Sequence, residues 1–444
     1  MKSPLTPCSL TTPTDGADRR PPPQHRAGRP RAATGPRGSG SRGLAVRRCV
    51  MRVLCSTTAG DGHFGPLARV ARACIETGHE VVVSAPASFA RAVARAGLAH
   101  APFPDVPPER IGPVMAALPT LSFDQANETV VREIFGRLDA QYALPGIRTA
   151  VEEWRPDVVL REPMELGSLA AAEARGIPHV EVSIGLAVTM TWAAGHLREP
   201  LAELDSLAGL AEGRLHAALR SAPALTMVPA SLDDPDPAPG RGSRPITRYR
   251  AGTDQRAGRL PAAWGEPTDP LVYVSFGTVA AGLGHLSELF DAALAALADL
   301  PVRVLMTTGH AGGLEVATPW PANAHVETFW PQDDVMPLAA AVVGHGGFGT
   351  TMSALSAGVP QVLMPLFATD QRLNADRVAA VGAGVRVDDG PAGVTQLAEA
   401  VTRVLADDRI GTRARELAAE IAALPEAATL VPEIEQIADS RTAG

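Results

Sequence analysis

MRVLCSTTAGDGHFGPLARVARACIETGHEVVVSA, residues 51–85, decides the fold. MRVLCST, 51–57, is short, apolar and β-rich, as a buried strand is, and a glycine turn follows it. Pro66 suits a first helical position, where its missing N–H would be unpaired anyway. Leu67, Val70, Cys74 and Ile75 then fall on one helical face, Gly78 closes the helix, and EVVVSA makes the next strand. This is one βαβ unit, and it predicts a parallel α/β sheet. Gly60, Gly62 and Gly65 also spell G-x-G-x-x-G, with His63 inside the turn. A nicotinamide or flavin site of that kind needs an acidic residue at the end of the second strand. That place holds Ser84 and Ala85, and Glu80 stands at the wrong end, so a dinucleotide reading is disfavoured.

The same rhythm continues outward. DVVLRE (157–162) and HVEVSI (179–184) read as strands around the alanine-rich helix LGSLAAAEARG, and a first domain is expected over 51–232. Residues 233–268 are dense in Pro, Gly, Asp and Arg, which reads as a linker region. A second domain, 269–425, repeats the pattern with strands LVYVSFG, VRVLMTTG, HVETF, AAVVGH and QVLMPL, a helix at HLSELFDAALAAL and another starting near Thr350; 426–444 is a C-terminal helix. GHGGFGT, 344–350, satisfies G-x-G-x-x-G a second time, again with a histidine, His345, inside. The expected fold is α/β, two Rossmann-like domains with parallel sheets facing across a cleft. Such a cleft has a helix N-terminus on either wall and can hold a diphosphate.

Composition narrows the function. The 444 residues are 45% apolar and 20% charged with a net charge of −8, and the body has no basic run, so no nucleic-acid partner is expected. Cys8, Cys49, Cys55 and Cys74 show no metal or disulfide spacing, which suits reduced thiols in a cytoplasmic protein. No apolar stretch reaches the roughly 18 residues of a membrane span, so no membrane insertion is expected. The Pro-, Gly- and Arg-rich residues 1–50 cannot bury enough surface to order and read as a disordered leader. Arg47-Arg48 lacks the apolar run of an export signal, and Met51 is a plausible native start. A homodimer is compatible with the chain.

GDGHFGPLARVARACIETGHEVVV (60–83) resembles the N-terminal motif of GT-B fold nucleotide-sugar glycosyltransferases of the UDP/TDP-glycosyltransferase family (GT1). FWPQDDVMPLAAAVVGHGGFGTTMSALSAGVPQVLMPLFATDQRLNADRV (329–378) resembles their donor-binding signature, with P-Q, H-G-G, G-T, G-V-P and D-Q in order. The resemblance runs from Met51 to about residue 425 and is strongest to the bacterial branch that decorates macrolide, enediyne and polyketide aglycones. It implies an inverting enzyme that moves a sugar from a nucleotide-sugar donor to a hydroxyl of a small hydrophobic aglycone.

An acceptor hydroxyl is a poor nucleophile at neutral pH and needs a base, for which imidazole is suited. His63 is that candidate, against a turn histidine bonded to backbone. The family pairs it with a carboxylate, which by position is Glu162, against a solvated strand-end acid. The departing diphosphate needs donors aimed at its oxygens. His345, the backbone of Gly346, Gly347 and Gly349, and Thr350 at a helix start supply them. Gln332, with Phe329 or Trp330, resembles the base-reading group, although either ring could be core. Asp370 and Gln371 resemble the pair that holds sugar hydroxyls, and Ser275 and Thr278 sit at another strand end.

No Asp-x-Asp clamp stands in a suitable place, so transfer without metal or other cofactor is expected. UDP-sugar relatives carry a glutamate where this chain has Ala354, which favours a TDP-sugar, of the deoxysugar type. Acceptor contacts are expected from 103–145 and 185–220, with Met190 and Trp192 as candidates beside His196, or else as core. A UDP-sugar transferase, a nucleotide-sugar epimerase and a non-catalytic nucleotide-sugar-binding helper are the alternatives.

Overall fold

Among the described residues, thirteen strands form two parallel sheets. The computed structural model describes residues 50–233, 244–250, 257–282, 286–309 and 319–440. The first sheet is built from β1 (Arg52–Ser56), β2 (Glu80–Pro86), β3 (Ala99–Phe103), β4 (Val158–Arg161), β5 (His179–Val182), β6 (Ala224–Thr226) and β7 (Ile246–Arg248), in the order β3-β2-β1-β4-β5-β6-β7. The second comprises β8 (Leu271–Ser275), β9 (Arg303–Thr307), β10 (Ala324–Glu327), β11 (Ala339–Gly344), β12 (Gln361–Leu363) and β13 (Gly384–Arg386), in the order β10-β9-β8-β11-β12-β13. In each sheet the chain order reverses beside the first strand. That reversal opens a crevice at the carboxyl ends of the central strands.

The central strands are buried on both faces, as Val53, Leu54 and Cys55 on β1 and Val272, Tyr273 and Val274 on β8 show. This is why they read as unbroken apolar runs. The strands without a sequence signal are marginal ones. β3 contains Pro102 and lies at a sheet edge, where a missing N–H breaks no ladder on the open side. β6, β7 and β13 have three residues each, too short for a periodic pattern.

Three boundaries differ from expectation. The first helix spans Asp61–Glu76 with Gly60 as its N-cap, so Pro66 lies inside it and not at its start. Proline there removes only the bond that would run to Gly62, close to the end where many amides lack partners anyway. The stretch 233–268 is not all linker, because Ile246–Arg248 adds an edge strand to the first sheet. Residues 234–243 and 251–256 of it, like residues 1–49 of the expected leader 1–50, lie outside the described residues. The C-terminal segment ends in the helix Val431–Asp439, which packs on the first domain. Leu430, Val431, Ile434 and Ala438 share a core with Met51, Val53, Val70 and Cys74. His79 pairs with Glu435 at 3.2 Å, and Thr247 donates to Glu433 at 2.8 Å.

Candidate active site

The two sheets present their carboxyl ends to one cavity of about 830 Å³. On one wall stands the first turn of Asp61–Glu76, carrying His63, and on the other the first turn of the helix Phe348–Ser356.

His63 is held from behind. Its Nδ1 lies 3.2 Å from Glu162 Oε2 and 3.0 Å from Thr58 Oγ1. Glu162, placed directly after β4, is wholly buried. Its Oε1 accepts from the Thr58 amide (3.1 Å) and hydroxyl (3.0 Å), and its Oε2 from the Met164 amide (2.7 Å). Burial pushes the Glu162 carboxyl up, but the nearby His63 and these amides outweigh it and hold it below the usual range. The His63 ring is 26% exposed, and the exposure is on the cavity. With the Nδ1 proton directed to Glu162, Nε2 is the basic nitrogen facing a substrate. Gly60 makes the room, since a Cβ there would stand 3.3 Å from the imidazole.

The opposite wall is a helix N-terminus. Gly347 caps the helix Phe348–Ser356 with extended backbone, and the first intrahelical bond comes from Thr351. The amides of Phe348, Gly349 and Thr350 are thus free of helix partners and open on the cavity with the positive end of the dipole. Gly346 has φ +81°, and a Cβ there would meet the Gln371 carbonyl at 2.5 Å. It shapes this turn without lining the cavity. His345 lines the cavity as a largely buried side chain, and that burial pulls its pKa down to about 4, so it is a neutral ring.

Ser275, Thr278, Phe329, Gln332, Thr350, Asp370 and Gln371 all reach the cavity. Gln332 Nε2 donates to Thr350 Oγ1 at 2.9 Å, and Phe329 is 53% exposed and so is not a core ring. Trp330 also lines the cavity, and its indole N–H donates to the Arg259 carbonyl at 2.9 Å. Gln371 Oε1 accepts from the Leu366 and Phe367 amides at 2.9 and 3.1 Å, which fixes the turn before the helix Thr369–Ala380. Burial raises the Asp370 carboxyl, with His63 opposing across the gap.

Two expectations are corrected. Met190 and Trp192 do not line the cavity. Both lie half-buried against the core of the first domain, and Trp192 packs against His196 with ring centres 4.9 Å apart. Within the expected stretch 103–145 the cavity is lined by Phe103, Ile111, Ile134 and Phe135, and Ile184 adjoins them. Ala354 is fully buried in one core cluster with Tyr273, Val342 and Val359 and does not line the cavity.

Three residues that sequence reasoning missed belong to the site. Thr58 ties His63 to Glu162, and its signal is a hydroxyl just after a strand end. Asp139 lines the cavity at the end of a wide-turned π-helical stretch, Val130–Asp139. Burial, with Glu162 and Glu165 adding to it and His63 opposing, pushes its carboxyl up to about 7. Phe135, on the same stretch, lies against the His63 ring at 5.6 Å. Nothing in local spacing marks these last two.

This fold and crevice define a two-domain nucleotide-sugar transferase architecture. Residues 72–233 match the family described as erythromycin biosynthesis protein CIII-like, N-terminal domain, and residues 291–437 its C-terminal domain. The L-demethylnoviosyl transferase of Streptomyces niveus is 31% identical over 384 residues, 86% of this chain and 96% of that one. The tylactone mycaminosyltransferase of Streptomyces fradiae is 28% identical over 87% of this chain and 92% of its own. Among solved structures, the Streptomyces sp. SF2575 glycosyltransferase SsfS6, complexed with thymidine diphosphate, superposes with a TM-score of 0.63 at 28% identity, covering 87% of this chain and 99% of that one. The chain belongs to the erythromycin CIII-like family of bacterial natural-product glycosyltransferases and is a GT-B glycosyltransferase. Among the described residues no helix is long and apolar enough to cross a membrane.

Proposed function

We propose that this chain transfers a sugar, of the deoxysugar type, from a TDP-sugar to a hydroxyl of a natural-product aglycone with inversion. The observation that carries the reading is the placement of His63, backed by Glu162, across one cavity from the open amides of Phe348, Gly349 and Thr350. His63 Nε2 takes the hydroxyl proton as the acceptor oxygen bonds to the anomeric carbon. The bond from that carbon to the diphosphate oxygen breaks, and the amides and helix dipole receive the charge. Glu162 stabilises the imidazolium that results. One displacement inverts the centre. No step in this sequence calls for a metal ion or other cofactor.

The preference for TDP rests on the TDP complex of SsfS6, and no longer on Ala354. The acidic side chains on the first-domain wall are Asp61, Asp105, Asp139 and Glu165, beside apolar Ile134 and Phe135, with burial raising the carboxyls of Asp139 and Glu165. That environment suits a neutral or cationic hydrophobic acceptor and repels an anionic one. A cytoplasmic setting agrees with Cys55 and Cys74 being buried free thiols.

The test is a melting-temperature screen with TDP, UDP, GDP and NAD, followed by assay of His63→Ala. A ligand at a hundred times its dissociation constant adds about 2.7 kcal/mol. TDP is expected to give the largest shift. His63→Ala is expected to keep that shift while losing roughly 10²–10⁴ in kcat. A shift by NAD alone, or full activity without His63, defeats the proposal.

A further inference from the structure

The helix Phe123–Thr129 of the first domain reaches the second at the turn that leads into Asp370. Asn127 makes the contact with both ends of its carboxamide. Its Nδ2 donates to the Phe367 carbonyl at 3.2 Å, and its Oδ1 accepts from the Thr369 amide at 2.9 Å. The two bonds bracket Ala368, the N-cap of Thr369–Ala380, whose side chain offers no cap of its own. From within the second domain, Gln371 Oε1 holds the Leu366 and Phe367 amides. One turn is therefore pinned by two amide side chains, one from each domain. Next to it the Arg372 guanidinium stands 3.2 Å over the Phe123 ring, pairs with Asp389 and lies 3.8 Å from Asp124.

Only a carboxamide supplies a donor and an acceptor together at this spot. An aspartate keeps the acceptor for Thr369 but places negative charge against the Phe367 carbonyl. An alanine leaves both backbone groups without Asn127.

We propose that Asn127 is a positioning residue that sets the Phe367–Asp370 turn in the form that grips the sugar of the donor, so that this grip exists only while the first domain is docked. The inference rests on the donor reading above. The diphosphate seat at Phe348, Gly349 and Thr350 is built without Asn127, which separates the two halves of the donor.

The experiment measures by calorimetry the dissociation constants of TDP and of TDP-glucose, as probe, for the natural protein, Asn127→Ala and Asn127→Asp. The expected result is TDP affinity within about twofold in all three proteins. The ratio of TDP-glucose to TDP dissociation constants should rise about tenfold in Asn127→Ala, the scale of one lost net hydrogen bond, and by less in Asn127→Asp. Equal loss for both ligands would mark a merely structural residue and overturn the proposal, as would an unchanged ratio. If Asn127→Ala does not fold, Asn127→Asp carries the same test. A natural protein that binds neither ligand removes the donor reading itself, and this proposal with it.

Discussion

A histidine that must take up a proton in the reaction works best when its pKa lies close to the working pH. Burial pulls His63 down, but the Glu162 charge and hydrogen bond, with Asp370 and Asp139, pull harder, and the net shift is upward from 6.5. In the proposed reaction the base is the neutral His63 ring, so kcat/KM should rise with pH through a midpoint above 6.5, read from a pH–rate profile. Glu162→Gln removes the main partner of the imidazolium. The midpoint should then move to lower pH while kcat falls by about 10²-fold or more. Asp139→Asn should move the midpoint the same way by less, since Asp139 contributes charge to His63 and is not bonded to it. A midpoint left in place by both substitutions would mean that another group titrates. His345, held near 4, should leave no limb of its own above pH 5.

At the scale of elements, the proposed function sits in the first turns of two helices. Both starts were visible as glycine-rich turns after apolar strands, because close packing of a strand end on a helix start asks for residues without a Cβ. Gly346 shows the strength of that demand. Gly346→Ala combines a left-handed φ with a carbonyl 2.5 Å from the new Cβ, and should cost of order 1–3 kcal/mol in urea unfolding and weaken TDP binding sharply. Gly62→Ala, with nothing near its Cβ, should do neither. The turn at Gly62 was legible as a motif, yet its helical start at Asp61 was not, because Pro66 sends the stronger local signal. Ala354 illustrates the reverse failure. Position along a motif does not report which face of a helix a residue occupies, and this face packs into the sheet core.

At the scale of the molecule, the two domains are joined by more than their linker. Arg377 donates to the carbonyls of Leu232 (2.7 Å), Ser231 (3.0 Å) and Asp233 (3.0 Å), and the Ser231 amide donates to Glu420 at 3.1 Å. The chain then returns to the first domain through Val431–Asp439, where Ile434 is wholly buried. Ile434→Ala should lower stability by about 2–5 kcal/mol, measured by chemical denaturation, with TDP affinity kept because the donor seat lies in the other domain. No measurable loss would show that the helix is not part of that core. The sequence alone determined the class of fold, the donor motif and the two histidines, since strand burial, helix starts and glycine turns are local demands that local residue patterns must meet. Only the tertiary structure decided that Met190 and Trp192 pack away from the cavity, that Asp139 and Phe135 face it, and that Asn127 meets a turn some 240 residues on. Those outcomes depend on how separate elements pack in three dimensions, and no short-range spacing carries that information.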